Sequence, residues 1–141
     1  MTINQFMTVD HRACDEQFAN LENIVDSGNF EGGKAMFEEF EKHMLHHFDM
    51  EEKVMFLEFN ECGGGHCNPT GVMIMEHEQM RVLFTQMRTA LESNDKERFL
   101  GLSENLLFVM QQHNMKEEQI MYNMADENLP SDEIIQKMQN I

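Results

Sequence analysis

A set of histidines and glutamates occurs twice in this chain, at a constant separation of 66 positions. Because a chain with seven histidines can produce such a match by coincidence, the neighbouring positions have to agree as well. They do agree: Phe18 corresponds to Phe84, and the acidic Asp10 corresponds to Glu76. The pattern therefore predicts one helical hairpin that is used twice. The repeated residues are His11, His47 and Glu51 in the first half and His77, His113 and Glu117 in the second half.

Apolar residues at three- and four-residue spacing predict four long helices with short turns between them. The helices are expected from about Thr8 to Asp26, from a cap at Asn29 to near Asn60, from Pro69 to about Leu91, and from a capping box of Ser93, Asn94 and Glu97 to about Ala125. A short helical tail is expected from Pro130 to Ile141. The sequence therefore predicts an all-α fold, an antiparallel up-down-up-down four-helix bundle with a short C-terminal helical tail.

The length of 141 residues predicts a single domain over residues 1–141, large enough to bury a core without disulfides. Within it, the repeat defines two pseudo-repeats of about residues 7–59 and 73–125. The segment 61–68 contains three consecutive glycines, which disfavour a helix, and we expect it to form the loop that joins the halves.

The charge balance limits the classes of partner. The formal net charge is −16, which argues against nucleic acid or an anionic membrane surface as a partner. The N-terminal residues lack the basic start and apolar stretch of a signal peptide, and there is no run of about eighteen apolar residues. Three cysteines form an odd count, as expected in a reducing compartment. These features predict a cytoplasmic protein. The expected assembly is a monomer or a small homo-oligomer, and the sequence does not choose between them.

The spacing of the repeated residues predicts a metal site. The first hairpin turns near Ser27 and Gly28, about 16 residues after His11 and about 19 before His47, so at about 1.5 Å per residue the two imidazoles lie at similar heights. The same arithmetic applies to His77 and His113. Each repeated glutamate follows its histidine by four residues and so shares its inward face.

Buried imidazoles and carboxylates would lose solvation, and the carboxylates would repel each other, unless cations lie between them. Mixed nitrogen and oxygen ligands in the core of a helical bundle favour iron, with manganese or zinc as alternatives, and carboxylates that bridge two ions are usual in di-iron proteins. The six repeated residues are therefore the predicted metal ligands.

Two segments of this sequence resemble the hemerythrin-like (HHE cation-binding) family. Residues 46–52, HHFDMEE, resemble the HFxxEE signature of the family's second helix, and residues 69–81 resemble the opening of its third helix. The resemblance extends over roughly residues 7–125. It implies two iron ions with an oxo or hydroxo bridge, one ion held by His11 and His47 and the other by His77 and His113, with Glu51 and Glu117 bridging them.

The chain departs from the oxygen-carrying hemerythrins. Those proteins take two histidines four residues apart from the third helix, whereas here Met73 and Arg81 flank His77, and Glu117 follows His113 at HxxxE spacing. The pattern is closer to the iron-sulfur-repair and HHE branch.

The resemblance implies a di-iron protein that binds or senses O2, NO or related oxidants such as peroxide. The alternative is a repair or detoxification protein, which would donate iron to iron-sulfur clusters or reduce NO or peroxide. Whether the chain is an enzyme stays open, with a binding protein favoured.

Several further residues have two interpretations each. His43, four residues before His47, is either a seventh ligand or a hydrogen-bond donor behind the ligands, and His46 is expected on the surface. Cys14 either faces the site or packs in the core, with the core favoured. The segment from Cys62 to Cys67 either binds a metal or acts as a redox switch, or it is an inert loop, which is favoured. Tyr122 could place its hydroxyl in the interior, although its counterpart Phe56 has none.

Overall fold

The computed structural model describes residues 1–62 and 69–141, and nearly all of these are helical. The predicted all-α fold is confirmed as a helical bundle. The segment from Cys62 to Cys67, for which the sequence allows a metal site, a redox switch or an inert loop, lies mostly outside the described residues. The elements are α1 (Ile3–Asp26), α2 (Phe30–Met50), a first π turn (Glu51–Met55), α3 (Phe56–Glu61), α4 (Pro69–Glu92), α5 (Lys96–Lys116), a second π turn (Glu117–Met121), α6 (Tyr122–Asn128) and α7 (Ser131–Gln139).

The long helices pack as neighbours around a common interior. Helix α1 contacts α2, α5 and α6, and α4 contacts α2 and α5. The buried apolar residues form two separate clusters. The first, here called the turn-side cluster, includes Phe18, Phe40, Phe84, Phe99 and Leu106. The second, the terminal-side cluster, includes Ile3, Met7, Met55, Met121 and Met138.

Helix α1 begins at Ile3, five positions before the predicted start at Thr8. A capping box stabilises this earlier start, because the Thr2 hydroxyl accepts a hydrogen bond from the backbone N–H of Gln5 and the Gln5 side chain accepts one from Thr2. The Asp126 carboxylate also accepts bonds from the backbone N–H groups of Ile3 (2.7 Å) and Asn4 (3.1 Å). The capping box is visible in the sequence, whereas the contact from Asp126 is not.

The predicted capping box at the start of the fourth helix is wrong. Asn94 adopts a positive φ of 53°, and the cap is Asp95, whose side chain accepts a hydrogen bond from the backbone N–H of Arg98. The internal repeat explains the arrangement, because position 94 corresponds to Gly28, which has a φ of 88°, and position 95 to the cap residue Asn29. Asparagine tolerates this left-handed conformation better than most residues.

The second and fourth predicted helices are each interrupted by a turn of π-helix. The first π turn starts at Glu51 and the second at Glu117, so both start at a predicted ligand. A π turn inserts one extra residue and often marks a functional site. Beyond them, the helical segments end at Glu61 and Asn128, close to the predicted ends near Asn60 and Ala125.

The C-terminal tail is helical, as predicted, but it contributes to the core. Ile134, Ile135 and Met138 of α7 are buried in the terminal-side cluster. Among the described residues, no helix is both long and apolar enough to cross a membrane.

We expect Asp126→Ala to lower the free energy of unfolding by about 1–2 kcal/mol, because the carboxylate accepts from the first backbone N–H groups of α1 and from the hydroxyl of Ser131. Urea denaturation followed by circular dichroism measures the change. The neighbouring exposed Glu127→Ala is the control, with an expected change below about 0.5 kcal/mol. Equal effects of the two substitutions would contradict the capping role.

Candidate metal centre

The structure brings together all six residues that the repeat singled out. They lie where the turn-side and terminal-side clusters meet, and each is at most 3 % exposed. The four histidines come from four different helices, and the two glutamates open the two π turns. This inner cluster consists of His11, His47, Glu51, His77, His113 and Glu117.

The imidazoles form two pairs, one in each half of the chain. The ring centroids of His11 and His47 are 4.7 Å apart, and those of His77 and His113 are 4.8 Å apart. The two helices of each pair are connected by a turn of three residues. The two histidines of a pair are a similar number of residues from that turn, so they lie at similar heights along their helices, as the sequence predicts.

Each carboxylate lies between the two pairs. One oxygen of Glu117, Oε1, is 3.1 Å from Nε2 of both His11 and His113. One oxygen of Glu51, Oε1, is 3.0 Å from Nε2 of His77 and 3.7 Å from Nε2 of His47. Both glutamates therefore contact one histidine of each pair. This is the arrangement required of a ligand that bridges two cations.

The inner cluster fits a metal by a second criterion, the lack of hydrogen-bond partners. Within the described residues, four of its buried polar atoms have no partner in hydrogen-bond geometry, although three of them lie close to an oppositely charged group and buried polar groups normally form such a bond. Cations between these atoms would supply the missing interaction, and imidazole with carboxylate suits iron, manganese or zinc. The four atoms are Glu51 Oε1, His77 Nε2, His113 Nε2 and Glu117 Oε2.

The ligand atoms are also close enough for shared ions. Those of His11, His47 and Glu117 lie within 4.8 Å of one another. The same limit holds for a second group, which consists of Glu51, His77, His113 and Glu117. Glu117 belongs to both groups, as expected of a bridging ligand.

A second layer of carboxylates surrounds the histidines. Each Nδ1–H donates to one of these outer carboxylates, which fixes the tautomer and leaves Nε2 free to face the centre. The signal was present in the sequence, because the repeat matches acids to acids at these positions, but sequence reasoning assigned them no role. The pairs are His11 with Glu118 (2.8 Å), His47 with Asp10 (2.6 Å), His77 with Glu52 (2.5 Å) and His113 with Glu76 (2.9 Å).

Three of the outer carboxylates are paired in turn with cationic side chains. Glu118 accepts from Arg12 at 2.9 Å, Glu52 accepts from Arg81 at 2.9 Å, and Glu76 accepts from Lys116. Positive and negative groups therefore alternate from the centre to the surface. This alternation lowers the cost of holding anionic groups next to buried imidazoles.

The fourth outer carboxylate, Asp10, contacts His43. His43 Nε2 is 2.7 Å from Asp10, and its other ring nitrogen is 2.7 Å from Gln17 Oε1. Both nitrogens are engaged away from the centre, so His43 lies behind Asp10 and outside the inner cluster. His46 is exposed, as predicted.

The pKa values reflect the same charge pairing. Burial lowers the pKa of His47, but the Glu51 and Asp10 carboxylates outweigh burial and raise it to about 10. For His113, Glu117 and Glu76 likewise overcome burial and raise the pKa to about 10. Burial raises the pKa of Glu51, yet the neighbouring imidazoles hold it well below its usual value. A cation that binds here must displace protons from these imidazoles, so binding is favoured as the pH rises.

The structure shows where Cys14 and Tyr122 lie, which the sequence left open. Cys14 is 3 % exposed and packs in the turn-side cluster, where burial and the nearby acids Asp10 and Asp15 raise the pKa of its thiol far above the usual value. The Tyr122 hydroxyl does reach the interior, where it donates a hydrogen bond to a carboxylate of the inner cluster. Burial, with Glu117 and Glu51 nearby, raises the pKa of this phenol well above its usual value.

A family model described as the hemerythrin HHE cation binding domain matches residues 2–125. The match includes the whole inner cluster and ends within α6, before α7. No curated protein and no solved structure matched the chain.

We expect Asp10→Asn and Glu76→Gln each to weaken metal binding by about 10- to 100-fold, because each removes the carboxylate that orients and polarises a histidine. Competition with a chelator of known affinity measures the change. Glu38→Gln, on an exposed position of α2, is the control and should bind metal like the parent protein. Unchanged affinity in both variants would show that the outer carboxylates do not support the centre.

Proposed function

The chain belongs to the hemerythrin HHE cation-binding domain family, and on that premise we propose that it binds O2, NO or a related small oxidant at a pair of iron ions. In this proposal His11 and His47 hold one ion, and His77 and His113 hold the other. Glu51 and Glu117 bridge the two ions, and an oxo or hydroxo group completes the bridge.

One observation carries the proposal. Each buried glutamate contacts one histidine of each pair, with Glu117 Oε1 equally close, at 3.1 Å, to His11 and His113. Two independent single-ion sites would not require a carboxylate between them. A structural histidine cluster would not leave four buried polar atoms of the cluster without hydrogen bonds among the described residues.

The order of the apolar clusters along the helices supports the rest of the predicted architecture. Along α1 the terminal-side residue Met7 precedes His11, and the turn-side residue Phe18 follows it. Along α2 and the first π turn the order is reversed, with Met44 of the turn-side cluster before His47 and Met55 of the terminal-side cluster after it. We infer an antiparallel up-down-up-down bundle in a single domain, built from the two pseudo-repeats 7–59 and 73–125; most of the segment predicted to join them lies outside the described residues.

The surroundings of the inner cluster suit a small uncharged ligand. Bound iron supplies redox chemistry and coordination positions for such a molecule. The rings of Phe48 and Phe56 are stacked at 4.0 Å and 6.1 Å from the ring of His77, and Phe59 is fully buried in the same region. These apolar groups limit water at the centre, and O2 or NO enters an apolar region at lower cost than a charged molecule does.

A second candidate function is repair or detoxification, by iron donation or by reduction of NO or peroxide. The lack of a second histidine on α4 favours it. Oxygen-carrying hemerythrins take two histidines four residues apart from the third helix, whereas the positions four residues before and after His77 are Met73, which is buried, and Arg81. Fewer imidazoles at this ion would make it easier to release and would leave more coordination positions for a substrate.

We expect His47→Ala and His113→Ala each to lower the bound iron below two ions per chain, since each removes one of the two imidazoles of an ion. Elemental analysis of the purified, iron-loaded variants measures the content. His46→Ala is a matched control, because His46 is exposed on the same helix and adjacent to His47. Two irons per chain in both test variants would refute the ligand assignment.

Spectra of the iron-loaded protein distinguish the two candidate functions. For oxidant binding, we expect a visible ligand-to-metal band that appears in air, disappears when O2 is removed and returns with air. Bleaching accompanied by iron release would instead establish iron donation. Consumption of NO or peroxide in large excess over the protein would establish an enzyme.

A further inference from the structure

One residue in contact with the inner cluster breaks the symmetry between the two halves. Tyr122 is the only tyrosine in the chain, and the position 66 residues earlier is Phe56. Both residues follow a π turn directly, and both rings are buried. The repeat therefore places two rings in equivalent positions, and only one of them carries an oxygen.

The Tyr122 oxygen lies among four atoms that the proposed function assigns to metal binding. It is 3.0 Å from His11 Nε2 and 3.3 Å from His47 Nε2. It is also 2.7 Å from Glu51 Oε2 and 3.0 Å from Glu117 Oε1. Two of these atoms belong to the histidine pair of a single ion, and the other two belong to the bridging carboxylates.

Hydrogen bonding alone does not account for this crowding. A phenol has one proton to donate, whereas two ionised carboxylates close to it can only accept. The hydroxyl can donate to Glu51 or to Glu117, and the other short oxygen–oxygen contact is then between two acceptors. A cation among these atoms makes all of the contacts favourable at once, because each of the atoms then binds the same positive ion.

The separations also match those of one coordination shell. For metal–ligand bonds of about 2.1 Å, neighbouring vertices of an octahedron are about 3.0 Å apart. The four distances from the Tyr122 oxygen, 2.7 to 3.3 Å, scatter around this value. The distance of 3.1 Å from His11 Nε2 to Glu117 Oε1 agrees with it as well.

We propose that Tyr122 is a ligand of the ion held by His11 and His47, and that its phenolate oxygen makes this ion chemically different from the one held by His77 and His113. The inference rests on the binuclear centre proposed above. Ligation breaks the O–H bond and forms an oxygen–metal bond, the proton passes to the solvent, and no electrons are transferred. An anionic oxygen ligand favours Fe(III) at this ion. The other ion has no tyrosine, because Phe56 occupies the equivalent position.

The test is spectroscopic and does not depend on activity. The iron-loaded protein is oxidised in air, and its visible spectrum and resonance Raman spectrum are recorded. We expect a phenolate-to-Fe(III) charge-transfer band with enhanced tyrosine ring vibrations. Because the chain has a single tyrosine, Tyr122→Phe should lose both signals completely, and the iron content of the variant, measured alongside, expresses each signal per bound iron.

A transfer variant is the matched control. Phe56→Tyr in the Tyr122→Phe background moves the hydroxyl to the equivalent position of the other half, and we expect the tyrosinate signals to return. Two irons per chain without any tyrosinate signal in the parent protein would overturn the inference and leave the proposed function intact. If the parent protein bound no iron, both would be wrong. Signals that persist unchanged in Tyr122→Phe would also overturn the assignment.

Discussion

The structure depends on keeping two carboxylates, Glu51 and Glu117, in a core from which water is excluded. Each is fully buried, and an isolated buried carboxylate is among the most unfavourable groups in a protein. Four imidazoles surround the pair, outer carboxylates hold the imidazoles, and cations such as Arg12 and Arg81 pair with those carboxylates at the surface. The apolar residues are divided into two clusters because this charged layer lies between them.

The two π turns show how the backbone adapts to that layer. Glu51 is followed by Met55 and Phe56, which are consecutive residues and both buried. In a regular α-helix neighbouring side chains differ by about 100° in direction, so two consecutive core positions are difficult to keep on one face. The extra residue of a π turn shifts this direction. The glutamate can then face the centre while the chain beyond it still packs in the terminal-side cluster, and the same holds for Glu117, Met121 and Tyr122.

The sequence predicts the helices and the inner cluster because both depend on periodicity, and periodicity is a local property of a chain. The sequence also contains two patterns whose meaning is clear only from the structure. The repeated acids Asp10 and Glu76 accept hydrogen bonds from ligand histidines, and Asp95 caps its helix as Asn29 does. Other features could not be predicted. The π turns arise from packing against neighbouring helices, and the bond from Asp126 to the start of α1 joins residues more than 120 positions apart. The direction of the Tyr122 side chain depends on one of these turns, so it too becomes visible only in the folded chain.

The repeat makes the two halves alike in their inner ligands, and the differences between the halves lie around those ligands. Phe56 of the first half corresponds to Tyr122 of the second, and His43 of the first half corresponds to Val109 of the second. His43 lies behind Asp10 and His47, at the histidine pair that the Tyr122 hydroxyl approaches, whereas Phe48 stacks on His77 of the other pair. Beyond the four histidines and two glutamates, the His11–His47 pair therefore has further oxygen and nitrogen groups close to it, whereas the His77–His113 pair has the ring of Phe48 stacked on it. If two ions bind as proposed, the ion at His11 and His47 would have the phenolate of Tyr122 as an additional ligand, so a small ligand would meet less competition from protein donors at the ion held by His77 and His113.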